Sequence, residues 1–493
     1  MERKLLLSAT LISVICIAAF YSSLSFHLLL ILLTGLIISL QFLNNLREYT
    51  IPLLLVVVYT LSLLLNVGKT EKISSLDGKY QSARITITSL GTTSDYGHSY
   101  EAKIYIPGEG LKSKAVLYCP SDELICGSKY TADIKINPLE PGSYKASCFG
   151  KGIYCTCNLK SEPILTGKSP LYTLAGRLRR YIISTFTNYL STDTSATMCA
   201  LIFGDKSAFS EDFNNSIKNA GVSHIMVVSG LHLSIIMGGL MWLLSKIKAG
   251  KWISFSVIIA ANILICTICG FTLSIIRASI TFTLCALAPL IRREYDITSA
   301  LCFTVIAVSI ASPFAIMSIS FELSILSTFA IAVVVPFFTA NIQKSRNKIL
   351  KSALGLFSPF VCTFFATLFT LPITYNAFGY ISLSAPVTNF CLSYLINILL
   401  IMGIISLIVV FILPFGFINK PIFLVCGALA KAVNKIIVFF GRQEYTYTLP
   451  GNIGAITLLP MAICLLYIIF SKKFKYKRLV KLYGEQNPNP ERG

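Results

Sequence analysis

Two polar side chains in an otherwise apolar stretch, Ser229 and His232, stand three residues apart. On a helix that spacing puts both on one face, the arrangement a serine and histidine dyad of an intramembrane hydrolase needs. Unpaired polar groups are costly in apolar surroundings, so the pair must be satisfied or used. Gly230 between them, with Gly238 and Gly239 further on, equally suits a close helix contact in which Ser and His bond to a neighbouring helix. The bracing or pore-lining role is adopted, and no catalytic residue is assigned.

The chain has only His27, His98, His224 and His232. His224 and His232 would lie about 80° apart on a continuous helix, so they do not converge on one ion. Without an H-x-H pair, no metal and no cofactor is expected. Two ionisable residues fall inside later apolar runs: Arg277 in GFTLSIIRAS and Glu322 in SISFELS. Each is expensive in hydrocarbon, so the two are expected to approach each other or flank one aqueous route; solvation near a helix end is the alternative.

The elements that must position these residues are membrane spans. The 493 residues are 54% hydrophobic and 13% charged, with mean hydropathy +0.72, far from the roughly 25% charged residues of soluble domains. Apolar runs cover Leu5–Phe20, Leu28–Phe42, Ile51–Leu65, Val222–Leu244, Ile253–Phe271, Leu273–Ile291, Leu301–Ile319, Leu323–Phe338, Phe357–Phe378, Val387–Leu413 and Ile453–Phe470. Ten or eleven spans are expected, with Lys420 to Arg442 open between spanning, re-entering and lying on the surface. The first run reads as a retained span, because no small-residue cleavage site separates it from the second. The net charge of +20 sits largely in short loops such as Lys246 to Lys251, Arg292 and Arg293, and Lys472 to Lys481. That pattern reports topology and a cytoplasmic C-terminus before it reports a polyanionic partner.

The fold expected is a polytopic α-helical membrane protein with an inserted extracytoplasmic all-β domain. Residues 1–67 form a three-span segment, 68–168 the β domain, 169–221 amphipathic and short surface helices, 222–471 the main membrane bundle and 472–493 a basic tail. Alternating runs at Gln81–Leu90, Tyr100–Pro107, Ala115–Cys119 and Tyr130–Pro138 predict the strands. Five of fifteen cysteines fall in this region: Cys119, Cys126, Cys148, Cys155 and Cys157. Outside the cytoplasm they are disulfide candidates; Cys119 with Cys126 would close a short loop, and Cys148 could pair with Cys155 or Cys157. Cys266 and Cys269 form a C-x-x-C inside a span and read as packing. Leu171, Leu174, Leu178, Ile182, Phe186 and Tyr189 step by three and four, predicting an amphipathic helix on the membrane surface. Ser210 starts another short helix that Gly221 stops.

Several of these pieces together resemble the bacterial competence proteins of the ComEC type. They are AGVSHIMVVSGLH at Ala220–His232, GDK at Gly204–Lys206, Gly270–Ala278 with its Arg-Ala, FELS at Phe321–Ser324, Pro372, Asn389, and the Asn137, Pro138, Pro141, Gly142, Gly152 and Ile153 landmarks. The resemblance implies an oligonucleotide-binding-type (OB-like) barrel outside and a bundle that conducts single-stranded DNA across the bacterial cytoplasmic membrane during natural transformation. It implies channel or gating roles for Asp205, His224, Ser229, Gly230, His232, Arg277 and Glu322. Glu322 departs from the Gln that relatives often carry, and the aromatic and aspartate pattern around Tyr144 to Cys148 is eroded. Many relatives continue into a metallo-β-lactamase-like domain, so a nuclease is expected to be absent or separate. The other partners implied are an extracytoplasmic DNA receptor, the lipid bilayer and a second copy in a homodimer.

Moving phosphates into an inside-negative cell costs about 2.3 kcal/mol per charge per 100 mV before screening. There is no G-x-x-x-x-G-K-[ST], so the drive must come from a cytoplasmic ATP-dependent motor or helicase. The competing classes are the Ser229 and His232 hydrolase and a transporter of another solute or surface polymer.

Overall fold

The computed structural model describes residues 46–94, 97–120, 124–140, 142–223, 226, 228, 230–344, 348–413, 415–442, 444, 446 and 447. The expected spans at residues 5–20, 28–42 and 453–470 lie outside them, as does the basic tail.

Helix α1 (Leu46–Ser75) leads into seven strands: β1 (Tyr80–Ile87), β2 (Thr92–Ser94), β3 (Gly97–Ile106), β4 (Leu111–Cys119), β5 (Ser128–Pro138), β6 (Ile153–Leu159) and β7 (Ile164–Lys168). Helix α2 (Ser143–Gly150) joins β5 to β6. β1 pairs antiparallel with both β3 and β5, β3 with β4, and β5 with β6, while β4 and β6 run parallel. The ring β1-β3-β4-β6-β5 therefore closes into a five-stranded OB-like barrel, which removes the sheet edges that five short strands would otherwise expose. Alternation fills it: Ala83, Ile85 and Ile87, Ala102 and Ile104, Ala115 and Leu117, Ile134 and Ile136, and Cys155 and Cys157 point inward. The core continues without a break into Tyr59 and Leu63 of α1 and Phe314 and Phe321 of the bundle.

After the barrel come α3 (Pro170–Tyr189), α4 (Thr192–Phe203), α5 (Glu211–Asn219), α6 (Gly230–Lys246), α7 (Lys251–Ile268), α8 (Leu273–Leu287) and α9 (Ile297–Ala311). α10 (Ile319–Phe329), α11 (Val335–Lys344), α12 (Lys348–Phe378), α13 (Ala385–Ile412) and α14 (Gly416–Phe440) complete the bundle, with a two-strand clip of β8 (Ile381–Ser382) and β9 (Thr446–Tyr447). Among the described residues six helices are long and apolar enough to cross a membrane, at Leu54–Ser75, Lys251–Ile268, Ile319–Thr339, Phe360–Ala377, Ala385–Ile412 and Gly416–Phe440. α6, α8 and α9 are shorter apolar helices.

Several boundaries differ from the apolar runs, for local reasons. The run Leu301–Ile319 breaks after Ala311, where Pro313 ends α9 and a 3₁₀ turn at Ala315–Met317 follows. The next span changes to π-helical hydrogen bonding at Ala330–Val334, just before Pro336, whose ring nitrogen cannot serve the carbonyl one turn back. The open stretch around Lys420 is a single helix, α14. Its buried residues Asn419, Phe423, Cys426, Ala430, Val433 and Ile437 alternate four and three apart, a stripe packed on α13 and on α3 to α5, while Lys420, Lys431 and Lys435 stay exposed.

The amphipathic stripe of α3 is also redistributed. Its N-terminal leucines, Leu171 and Leu174, are exposed, and the packed face is Ala175, Gly176, Arg179, Thr185 and Phe186. Small residues let α3 approach the barrel closely: a Cβ at Gly176 would lie 3.2 Å from Cys126.

Candidate functional site

α8 is the hub of the bundle, packing on α6, α7, α9 and α10. It enters from a tight turn in which Gly270 and Phe271 both take positive φ, at 74° and 56°. Two polar rows run down it. Ser279 and Thr283, one turn apart, face α7, where Asn262 donates to Thr283 Oγ1 at 3.2 Å and the Cys266 thiol lies 3.2 Å from Ser279 Oγ. Ser274 and Arg277 face α10: Arg277 donates from Nε to Ser324 Oγ at 2.7 Å, and Ser274 and Ser324 hydroxyls are 3.2 Å apart.

Arg277 is only 6% exposed, so its charge needs this hydrogen bonding. The expected approach of Arg277 to Glu322 is not what the structure has. Among the described residues the one ion pair is Lys72 with Glu109 at 3.2 Å. Glu322 and Ser324 are two apart on α10, so their side chains leave the helix about 200° apart, and the FELS segment offers Arg277 its serine.

Gly230, the first residue of α6, lies directly on the guanidinium: a Cβ there would collide with Arg277 Nη2. A side chain at this position would have to displace the end of the buried Arg277 guanidinium. His232, the third residue of α6, is 1% exposed. Ser229 and His224 lie outside the described residues. The helix expected over Val222–Leu244 does not take in Val222, Met226 or Val228, which are not helical, and α6 is Gly230–Lys246.

The flanks of this segment are pinned. Gly204, at φ 83°, backs onto Val228, 3.6 Å from a Cβ placed there. The adjoining Asp205 accepts from the Ser207 amide at 2.9 Å, so it braces its own loop. Burial, with Lys218 adding to it, pushes the Lys206 ammonium below its usual value. Gly221, at φ 69°, lies against the start of α13, 2.5 Å from Ala385 Cβ for a built Cβ. Asn219 donates to Gly441 O at 3.2 Å and Ser384 to Phe440 O at 3.0 Å, tying the segment to the end of α14.

The barrel docks on this hub from two sides. From the β5 to β6 connection, Phe149 meets Phe314 at 5.3 Å and Gly150 sits on Ser318, the residue that starts α10. From α3, the buried Arg179 donates to the carbonyls of Thr267 and Ile268 at the end of α7. Arg179 is not among the residues the sequence singles out on this helix. Its position three after Gly176 and seven before Phe186 puts it on the packed stripe.

The barrel's outer β3–β4 face pairs Lys103 with Lys114 and Tyr105 with Lys112. Tyr118 on the same strand bonds to Tyr144 of α2. The five disulfide candidates form no bridge in this structure. Cys155 and Cys157 are packed into the barrel core, and Cys148 lies beside Tyr144, so their spacing serves packing. No group of three or more His, Cys, Asp or Glu able to hold a metal occurs among the described residues.

Fold and site together define a multi-pass membrane protein in which an OB-like barrel is docked onto a polar-cored helix bundle. A family model described as Competence protein matches residues 201–475, and the chain belongs to that family. It is 24% identical over 223 residues to ComE operon protein 3 of Bacillus subtilis (strain 168), covering 44% of this chain. The chain covers 27% of that relative's length. No solved structure matches the chain.

Proposed function

We propose that this protein is the channel that carries single-stranded DNA across a bacterial cytoplasmic membrane during natural transformation. The observation that carries the reading is the junction of Arg277 with Gly230. A guanidinium is held against the first residue of a 17-residue helix, so two positive ends meet in a buried place. Like charges so placed repel unless an anion passes between them, and a phosphate chain supplies one at every step. The contact is single and flanked by hydroxyls, which suits transit better than tight retention.

The barrel's Lys103, Lys112 and Lys114 with Tyr105 and Tyr118 suit a strand's phosphates and bases. OB folds use the faces of their second and third strands, which are β3 and β4 here. A strand received there is handed to α10, on which the barrel already sits. In this reading the barrel faces outward, a separate receptor delivers the DNA, and a cytoplasmic ATP-dependent motor or helicase draws the strand in.

The test is uptake of labelled DNA by cells carrying wild type, a deletion and Arg277→Gln, with surface-bound and internalised strand scored separately. Normal binding with lost internalisation in the deletion, and a tenfold or greater loss in the point variant, is expected. Unchanged internalisation in a competent deletion strain without a second copy would sink the channel and bring the hydrolase and other-solute transporter readings forward.

A further inference from the structure

The turn between α7 and α8 is gripped from the barrel side by one helix. Arg179 of α3 donates to the Thr267 and Ile268 carbonyls, in the last turn of α7, where the Thr267 oxygen also accepts from the Gly270 amide. A Cβ at Gly270 would stand 3.2 Å from the same guanidinium. Two turns earlier on α3, the Tyr172 ring meets Phe271 at 6.4 Å, edge to face. Tyr172 is in turn held by the barrel: Lys103 lies over its ring at 5.2 Å, and the Cys126 thiol points at its carbonyl at 3.7 Å. Gly127, at φ 87°, abuts the backbone of Thr173 so closely that no side chain fits between them.

These contacts make a continuous path from the barrel through α3 to the turn that starts α8, two helical turns from Arg277. A buried cation on the end of a helix is directional, because it must follow those carbonyls to stay satisfied. We propose that Arg179 is a positioning residue: it fixes the register of α8 against α7 and thereby holds Arg277 on Gly230 and Ser324. Its effect on transport rests on the channel reading; its effect on register does not.

The experiment uses the full chain in membranes. Ser279→Cys places a second thiol against the native Cys266, whose sulfur is 3.2 Å from the Ser279 hydroxyl, and the oxidised pair is quantified by mass spectrometry of the linked peptides. Thr92→Cys with Ser99→Cys, at hydroxyls 2.7 Å apart on β2 and β3, is the control for an intact barrel. Adding Arg179→Gln is expected to lower the Cys266 cross-link at least threefold with the barrel pair unchanged. Arg179→Lys, which keeps a cationic donor, is expected to recover more than half. Without the cysteine changes, Arg179→Gln is expected to leave surface-bound DNA unchanged and to cut internalised DNA about tenfold.

An unchanged Cys266 cross-link in Arg179→Gln overturns the proposal whatever uptake does. A lost cross-link with full internalisation, in cells whose deletion strain internalises nothing, overturns the link to Arg277. Failure of the channel reading is separate: the deletion strain itself would internalise normally while the cross-link still fell.

Discussion

Arg277 Nε and Ser324 Oγ are 2.7 Å apart, and this hydrogen bond joins α8 to α10 beneath the barrel. The carboxylate two residues earlier on α10, Glu322, makes no ion pair among the described residues.

Removing the serine hydroxyl therefore takes an acceptor from a buried cation. Hydrogen bonds to charged groups contribute about 1.5–3 kcal/mol, so Ser324→Ala should lower thermal stability in detergent by that order, and Glu322→Gln by less. A double exchange, Arg277→Glu with Glu322→Arg, should fail to restore uptake. Rescue by that exchange would show that the two charges meet in the working protein.

Gly230 and Gly238 lie on the same helix but meet different surroundings. An added Cβ at Gly230 collides with Arg277, whereas one at Gly238 meets nothing within 4 Å. Gly230→Ala should cost about 1–3 kcal/mol by overpacking and reduce internalised DNA. Gly238→Ala should be neutral or stabilise by up to about 1 kcal/mol through helix propensity. Parallel melting curves with uptake assays check both.

The barrel face makes an ionic-strength prediction. Lys103 and Lys114 are register partners on neighbouring strands, so one phosphate run can touch both. The double change Lys103→Gln with Lys114→Gln should weaken surface capture of single-stranded DNA. It should also flatten the dependence of log affinity on log salt by about 1.4, at roughly 0.7 per lost contact. An unaltered slope would place the DNA elsewhere.

The barrel thiols predict a pH profile. Burial pushes the Cys148 thiol up, and its hydrogen bond from Tyr144 opposes that shift. A raised value means less thiolate at any given pH, so alkylation at neutral pH should be slower than for an ordinary exposed cysteine and should keep rising above pH 9. Tyr144→Phe removes the opposing bond and should slow the reaction further. A Cys148 rate that levels off near pH 8 would contradict the burial.

Composition and period were enough for the architecture, because both are local consequences of solvent. Long apolar runs must be helices in lipid, and alternation over Gln81–Leu90 or Tyr130–Pro138 must be strands with one face inside. The pairing of β4 with β6, which closes the barrel, was not legible, since parallel neighbours lie far apart in sequence and carry no turn signal between them. The end of α9 was legible in principle at Pro313, but the apolar run around it masked the break.

What the sequence by itself determined is the set of costly residues: a charge at 277, a charge at 322, and a glycine, serine and histidine before a span. Burial penalties make such residues conspicuous wherever they occur. Which of them meet was decided only by the tertiary structure. Arg277 takes Ser324 and leaves Glu322 because helix phase, a matter of 100° per residue, sets which side of α10 faces α8. Arg179 became a buried cap for the same reason: α3 turned Gly176 and Arg179 inward and Leu171 and Leu174 out, and only the neighbouring barrel and α7 could select that face.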